Sequence, residues 1–114
     1  MAAATAIEAL AEPHRRRILD LLREGERPVG ALVQPLALSQ PAVSKHLRVL
    51  KEAGLVEVRP DGQRRLYRIR PEPLADLDAW LAPYRALWAD SLDRLGVHLA
   101  RTTTQTTKTK TGPR

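Results

Sequence analysis

The sequence predicts a mainly helical domain of the α+β class, with one small β-hairpin placed between helices. Apolar residues recur at spacings of three and four through the first 50 residues and again beyond residue 72, which indicates helices with one buried face. After Gly54 the pattern changes to two short stretches rich in Val, Leu, Tyr and Ile, which flank the hairpin turn Pro60-Asp61-Gly62-Gln63. A chain of 114 residues is long enough for one modest core.

The N-terminal segment predicts two helices. Residues 4–11 form the first, with Ile7 and Leu10 on one side. Pro13 fits the first turn of the second, where its missing N–H costs nothing, and Gly25 ends that helix before a turn, GERP. This segment has no basic n-region or long apolar run, so it is not a secretory signal. No stretch approaches the ~18 apolar residues of a membrane span, and we expect a cytoplasmic protein.

The segment from Val29 to Ala53 predicts a short helix, a tight connection and a longer helix. Pro35 disfavours helical geometry at Gln34, so the short helix Val29–Leu36 is expected to be shorter or more strained than its apolar pattern suggests. In the longer helix, Ser39 is placed to accept a hydrogen bond from the N–H of Ala42. Gly54 can take the left-handed conformation that ends it. Two helices joined in this way form a helix-turn-helix.

The longer helix has two different faces. Its buried face carries Val43, Leu47 and Leu50, and its outer face carries polar and basic residues. Residues 45–70 hold eight Lys and Arg against three acids, which is typical of a nucleic-acid binder, although a solvated surface is the alternative interpretation. The hairpin that follows at once is a wing, so the predicted order is four helices, two strands and a final helix.

We predict DNA binding by the outer face of this helix and by the wing over residues 59–65. Gln40 suits adenine and Lys45 suits guanine, whereas Arg48 is better placed for phosphates. A structural role is the alternative for His46. The three arginines 15–17 are expected either to touch phosphate or to pair with Glu12 and Asp20. The predicted DNA-binding residues are Ser39, Gln40, Ser44, Lys45, His46, Arg48, Arg64 and Arg65.

The last helix follows Pro71 and carries an apolar stripe too large for a domain of this size to cover. Pro83 removes one main-chain hydrogen bond, so we expect a kink there or a break into two helices. A second copy of the chain is expected to cover the stripe. The predicted dimer interface consists of Ile7, Leu10, Leu77, Leu81, Tyr84, Trp88 and Leu95.

Several elements in order resemble the ArsR/SmtB family of bacterial winged-helix repressors, over about residues 5–99. They are LAEPHRRRILDLL, SQPAVSKHLRVLKEAGLVEVR and the wing DGQRRLYRI, while APYRALWADSLDRL is similar to a branch without thiolate metal sites. The resemblance implies a symmetric homodimer, built from the first and last helices, that represses transcription. Many members release their operator when an inducer binds.

The metal sites of the family are not matched here. The family's Cys-x-Cys signature corresponds to VGALVQPL, which has no ligand, and the chain has no Cys at all. Asp90, Asp93 and His98 in the last helix are a poor set for a second family site, and we interpret them as solvated polar residues. We therefore predict no metal and no cofactor. The three His residues lie on different elements without a nucleophile partner, so no enzyme is predicted.

The predicted organisation is a DNA-binding and dimerisation domain over residues 4–99 and a disordered basic tail over residues 100–114, which from residue 102 onward has no apolar residue. The predicted function is a homodimeric transcriptional repressor that binds double-stranded DNA. Two alternatives keep the same fold. One is a sensor that acts chiefly by binding an effector or metal, and the other is a winged-helix module that binds protein. Neither the operator nor an inducer follows from the sequence.

Overall fold

The computed structural model describes residues 2–95, which form five helices and one three-stranded antiparallel sheet. The described chain divides into two compact units at the boundary between Trp80 and Leu81. The mainly helical α+β class is confirmed, whereas the predicted tail over 100–114 lies outside the described residues. The elements are α1 (Ala2–Leu10), α2 (Pro13–Leu22), β1 (Arg27–Pro28), α3 (Gly30–Leu36), α4 (Gln40–Glu52), β2 (Val56–Asp61), β3 (Arg64–Ile69) and α5 (Glu72–Leu95).

The core of the first unit lies between α1, α2, α3, α4 and the start of β2. The apolar faces predicted for α2 and α4 are confirmed, because their repeating aliphatic residues are all buried. In α1, by contrast, the buried residues are Ala6 and Ala9, while Ile7 remains 42% exposed and Leu10 is half-buried. The seven largest side chains with almost no exposure are Ile18, Leu32, Val43, Leu47, Leu50, Leu55 and Val56.

The turn between α3 and α4 takes the predicted form. α3 includes Pro35 and ends at Leu36. The strained backbone lies at the next residue, Ala37, whose φ of 56° is in the left-handed region. The Oγ of Ser39 accepts a hydrogen bond of 3.2 Å from the N–H of Ala42, so the predicted cap is confirmed. Gly54 has a φ of 77°, as expected just beyond the end of α4.

The wing has one strand more than the hairpin predicted from the sequence. The strand order is β1-β3-β2, and Arg27 pairs with Tyr67 where a turn was expected. β2 also extends further than predicted, since Pro60 pairs with Arg65 and only Gly62 and Gln63 form the turn. A proline is compatible with this strand because β2 lies at the edge of the sheet.

Helix α5 is continuous from Glu72 to Leu95 and passes through Pro83. The break into two helices, one of the two outcomes expected at this proline, is therefore wrong. Among residues 2–95, none of the helices has the length and apolar character needed to cross a membrane.

Candidate nucleic-acid interface

The outer face of α4 presents polar and basic side chains to solvent. Gln40, Ser44, Lys45 and Arg48 are all exposed, whereas Val43 and Leu47 on the opposite face have no exposure. Within the part of the chain that the structure describes, neither Lys45 nor Arg48 has a carboxylate within 4.0 Å. No carboxylate of residues 2–95 therefore forms an ion pair with either of these two cations.

The wing carries more arginines, but most of them are already paired. Arg59 donates two hydrogen bonds, of 2.9 and 3.1 Å, to the carboxylate of Glu26. This contact lowers the pKa of Glu26 and raises the pKa of Arg59. Arg64 lies 3.0 Å from Asp61, and Arg68 pairs with Glu57. Fewer positive charges of the wing are consequently available to a ligand than the number of its arginines suggests.

Arg65 differs from the other arginines of the wing. It is exposed at the start of β3, and among the ion pairs of residues 2–95 it takes part in none. Together with Arg64 it lines an open cleft of about 280 Å³ whose other wall includes Gln40 at the start of α4. The structure thus brings together the first turn of α4 and the tip of the wing. Cations and amides of this kind bind phosphate oxygens and base edges.

His46 lies apart from this face, although it belongs to the same helix. Its side chain is only 18% exposed, and its ring stacks on that of His14 with 5.6 Å between the ring centroids. Burial lowers the pKa of His46, which favours the neutral ring. These contacts support the structural role that was the alternative for this residue. DNA contact by His46 stays a prediction.

Arg15, Arg16 and Arg17 donate hydrogen bonds to main-chain carbonyls, which is neither of the two roles predicted for them. Arg15 donates a hydrogen bond of 2.6 Å to the carbonyl of Ala9, and Arg16 donates one of 2.8 Å to the carbonyl of Leu10. Both carbonyls stand at the C-terminal end of α1, where helical partners are missing. Arg17 donates to the carbonyl of Pro35. Side-chain pairing with Glu12 or Asp20 is not seen within the described residues. The short link between α1 and α2 is the feature of the sequence that could have indicated the hydrogen bonds of Arg15 and Arg16.

The residues of α5 that were predicted to form a dimer interface fall into three groups. Tyr84 and Trp88 are 45% and 46% exposed, and they share a face of α5 with Trp80 and Leu87. Leu77 and Leu81 are half-buried. The side chain of Leu95 lies outside the described residues. A wide apolar face of α5 therefore remains in contact with solvent in the single chain.

Comparison with known sequences identifies the relatives of this chain. Residues 12–58 match the family described as "Bacterial regulatory protein, arsR family". The chain is 43% identical over 93 residues to the HTH-type transcriptional regulator Rv2034 of Mycobacterium tuberculosis, covering 78% of this chain and 87% of the relative. It is 34% identical over 74 residues to the transcriptional repressor SdpR of Bacillus subtilis, covering 65% of this chain and 82% of that repressor.

Solved structures agree with these sequence matches. The crystal structure of the ArsR family transcriptional regulator RHA00566 superposes with a TM-score of 0.69 at 31% identity, covering 78% of this chain and 98% of the other. A solution structure from Mycobacterium bovis superposes with a TM-score of 0.61 at 39% identity, covering 75% of this chain and 79% of the other. That protein is described as a homodimeric winged helix-turn-helix DNA-binding domain and a possible ArsR-family regulator.

Proposed function

We propose that this chain, which belongs to the ArsR family of bacterial regulatory proteins, is a homodimeric transcriptional repressor that binds double-stranded DNA through α4 and the wing. Its winged helix-turn-helix fold and its relatives make it a DNA-binding regulator of transcription and not an enzyme. The chromosome of a bacterium lies in the cytoplasm, so the proposal places the protein there.

The observation that carries the proposal is the charge on the outer face of α4. Lys45 and Arg48 are exposed and have no acidic partner within the described residues. Unneutralised cations of this kind bind DNA phosphates and release the counterions held there. The buried face of α4 keeps the helix fixed on the core, so its outer side chains are presented rigidly.

We assign different roles to the start of α4 and to the wing. Gln40 and Ser44 lie in the first turns of α4, which is the part of a recognition helix that reaches base edges in the major groove. Arg65 on the wing is better suited to phosphates or to the neighbouring minor groove. Arg64 can join it if its exposed ion pair with Asp61 opens, since such surface pairs contribute little stability.

Dimerisation is proposed through the exposed apolar face of α5. The large apolar side chains of Trp80, Tyr84, Leu87 and Trp88 are all exposed on this helix, and exposed apolar patches often mark protein–protein interfaces. The M. bovis relative is described as homodimeric, which supports the same assembly here. Two α4 helices related by a two-fold axis bind half-sites whose centres lie about 34–36 Å apart, one turn of DNA.

Selection of bound fragments from a random DNA library tests this function. We expect the purified protein to enrich an inverted repeat with half-sites about one helical turn apart. Gln40→Ala should relax the preference at one position of each half-site, because it removes a base contact. Arg65→Ala, a control on the wing, should weaken binding evenly across sequences. Failure to enrich any sequence, combined with specific retention of a protein partner, would overturn the proposal in favour of a protein-binding module.

A further inference from the structure

We propose that Glu12, His14 and His46 form a binding site for a divalent transition-metal ion of the zinc class, which would join the start of α2 to the middle of α4. The three side chains belong to the described part of the chain and are all half-buried. They lie on neither the outer face of α4 nor the apolar face of α5. The proposal therefore does not rest on DNA binding or on dimerisation.

The geometry brings the possible ligand atoms of the three residues into a small volume. Oε2 of Glu12 lies 3.0 Å from Nδ1 of His14, and Oε1 of Glu12 lies 3.9 Å from Nδ1 of His46. All three ligand atoms fall within 4.8 Å of one another. In a tetrahedral zinc site with bonds of about 2.0–2.2 Å, neighbouring ligand atoms lie roughly 3.3–3.6 Å apart. Small side-chain rotations would shorten the 3.9 Å distance between Oε1 of Glu12 and Nδ1 of His46 to this separation.

Two imidazole nitrogens and one carboxylate oxygen are a donor set typical of zinc. Imidazole suits Zn²⁺, Ni²⁺ and Cu²⁺, and three protein ligands leave a fourth position for water. Both rings direct Nδ1 towards the carboxylate, and Nδ1 of His14 donates a hydrogen bond to Oε2 of Glu12. A bound metal would therefore require that proton to move to Nε2, which leaves the Nδ1 lone pairs of both rings as ligands.

The side chains of this cluster also form hydrogen bonds within the protein. These bonds affect how strongly the site should bind a metal ion. Oε1 of Glu12 accepts a hydrogen bond of 3.1 Å from the N–H of Arg15 and so caps α2. The guanidinium of Arg15 lies 3.5 Å from Nδ1 of His46. A metal ion would displace that contact and meet the positive charge of Arg15. We therefore expect weaker binding than at a structural zinc site that has no cation beside it.

Calorimetric titration of the untagged full-length protein with ZnCl₂ tests the site, with Co²⁺ absorbance as a second measurement. We expect one ion per chain at pH 7.5. His14→Gln and His46→Gln should each lower the affinity at least about tenfold, because each removes a direct ligand. His98→Gln is the matched control, since it removes the third histidine of the chain, and it should change the affinity less than about twofold.

Glu12→Gln provides a variant that keeps an oxygen to cap α2 but loses the carboxylate charge. It should also lower zinc affinity, while its far-UV circular dichroism stays that of the parent. A loss of zinc affinity shows the loss of a ligand only in a variant that retains the circular dichroism spectrum of the parent. The proposal is overturned if the parent protein binds no zinc, if His14→Gln and His46→Gln bind as the parent does, or if His98→Gln loses as much affinity as they do.

Discussion

Helices α4 and α5 are both amphipathic, but they use their apolar faces differently. In α4 the three apolar residues Val43, Leu47 and Leu50 have no exposure at all. In α5 the apolar residues are larger, and Leu87 is 65% exposed. The apolar surface of α4 is therefore completed within one chain, whereas that of α5 is not.

This difference indicates what kind of partner each helix has. The surface that α4 leaves for a partner is polar and basic, which suits the phosphates and base edges of DNA. The surface that α5 leaves is aromatic and aliphatic, which suits a second copy of the chain. Substitutions on the two helices should consequently affect different properties.

The largest effect is expected from Leu47→Ala in the buried face of α4. Removing a fully buried leucine side chain leaves a cavity and should lower the free energy of unfolding by about 2–5 kcal/mol. Urea denaturation at fixed protein concentration measures this. Val49→Ala, on the same helix but only partly buried, should cost clearly less. Equal losses for the two variants would show that α4 is not anchored by its inner face.

An intermediate effect is expected from the double substitution Leu87→Glu with Trp88→Glu on α5. Two carboxylates in an apolar interface should raise the dissociation constant of the dimer at least about a hundredfold, which is roughly 2.7 kcal/mol. Light scattering coupled to gel filtration would then detect monomers. The control Ala82→Glu with Ala89→Glu adds the same charge on the opposite face of α5, and it should remain dimeric. A dimer that survives the first substitution would place the interface elsewhere.

The smallest effect is expected from Ser39→Ala at the start of α4. The hydroxyl caps the N–H of Ala42, so its loss should lower the free energy of unfolding by about 1 kcal/mol. Ser44→Ala removes a hydroxyl from the exposed face of the same helix and should change stability by less than about 0.5 kcal/mol. Identical denaturation curves for Ser39→Ala and the parent would show that the Ser39 hydroxyl does not stabilise the start of α4.

The course of α4 was predictable because its signals are local. Ser39 caps its start, Gly54 follows its end, and the apolar spacing between them specifies the buried face. The two-residue strand β1 has no such signal, since it is defined by pairing of Arg27 with Tyr67, forty residues later in the chain. The extension of β2 through Pro60 likewise depends on its position at the sheet edge, which only the strand order reveals.

The candidate DNA-binding residues could be chosen from the sequence, but their electrostatic environment could not. The segment with the greatest local charge contains Arg59 and Arg68, which prove to be paired with Glu26 and Glu57. Such pairs join separate elements, so a count of charges along the chain cannot identify them. The approach of Glu12 to His46 was missed for the same reason, because it depends on how α2 packs against α4.

A salt titration of operator binding by fluorescence anisotropy tests most directly whether α4 is the DNA-binding surface. For Lys45→Ala with Arg48→Ala, we predict a strong loss of affinity and a log–log salt slope that is shallower by about 1.8 if both side chains contact phosphate. Arg68→Ala with Arg70→Ala removes the same charge from arginines that face Glu57, and its slope should stay close to that of the parent. Equal changes in slope for the two double variants would show that α4 is not the DNA-binding surface.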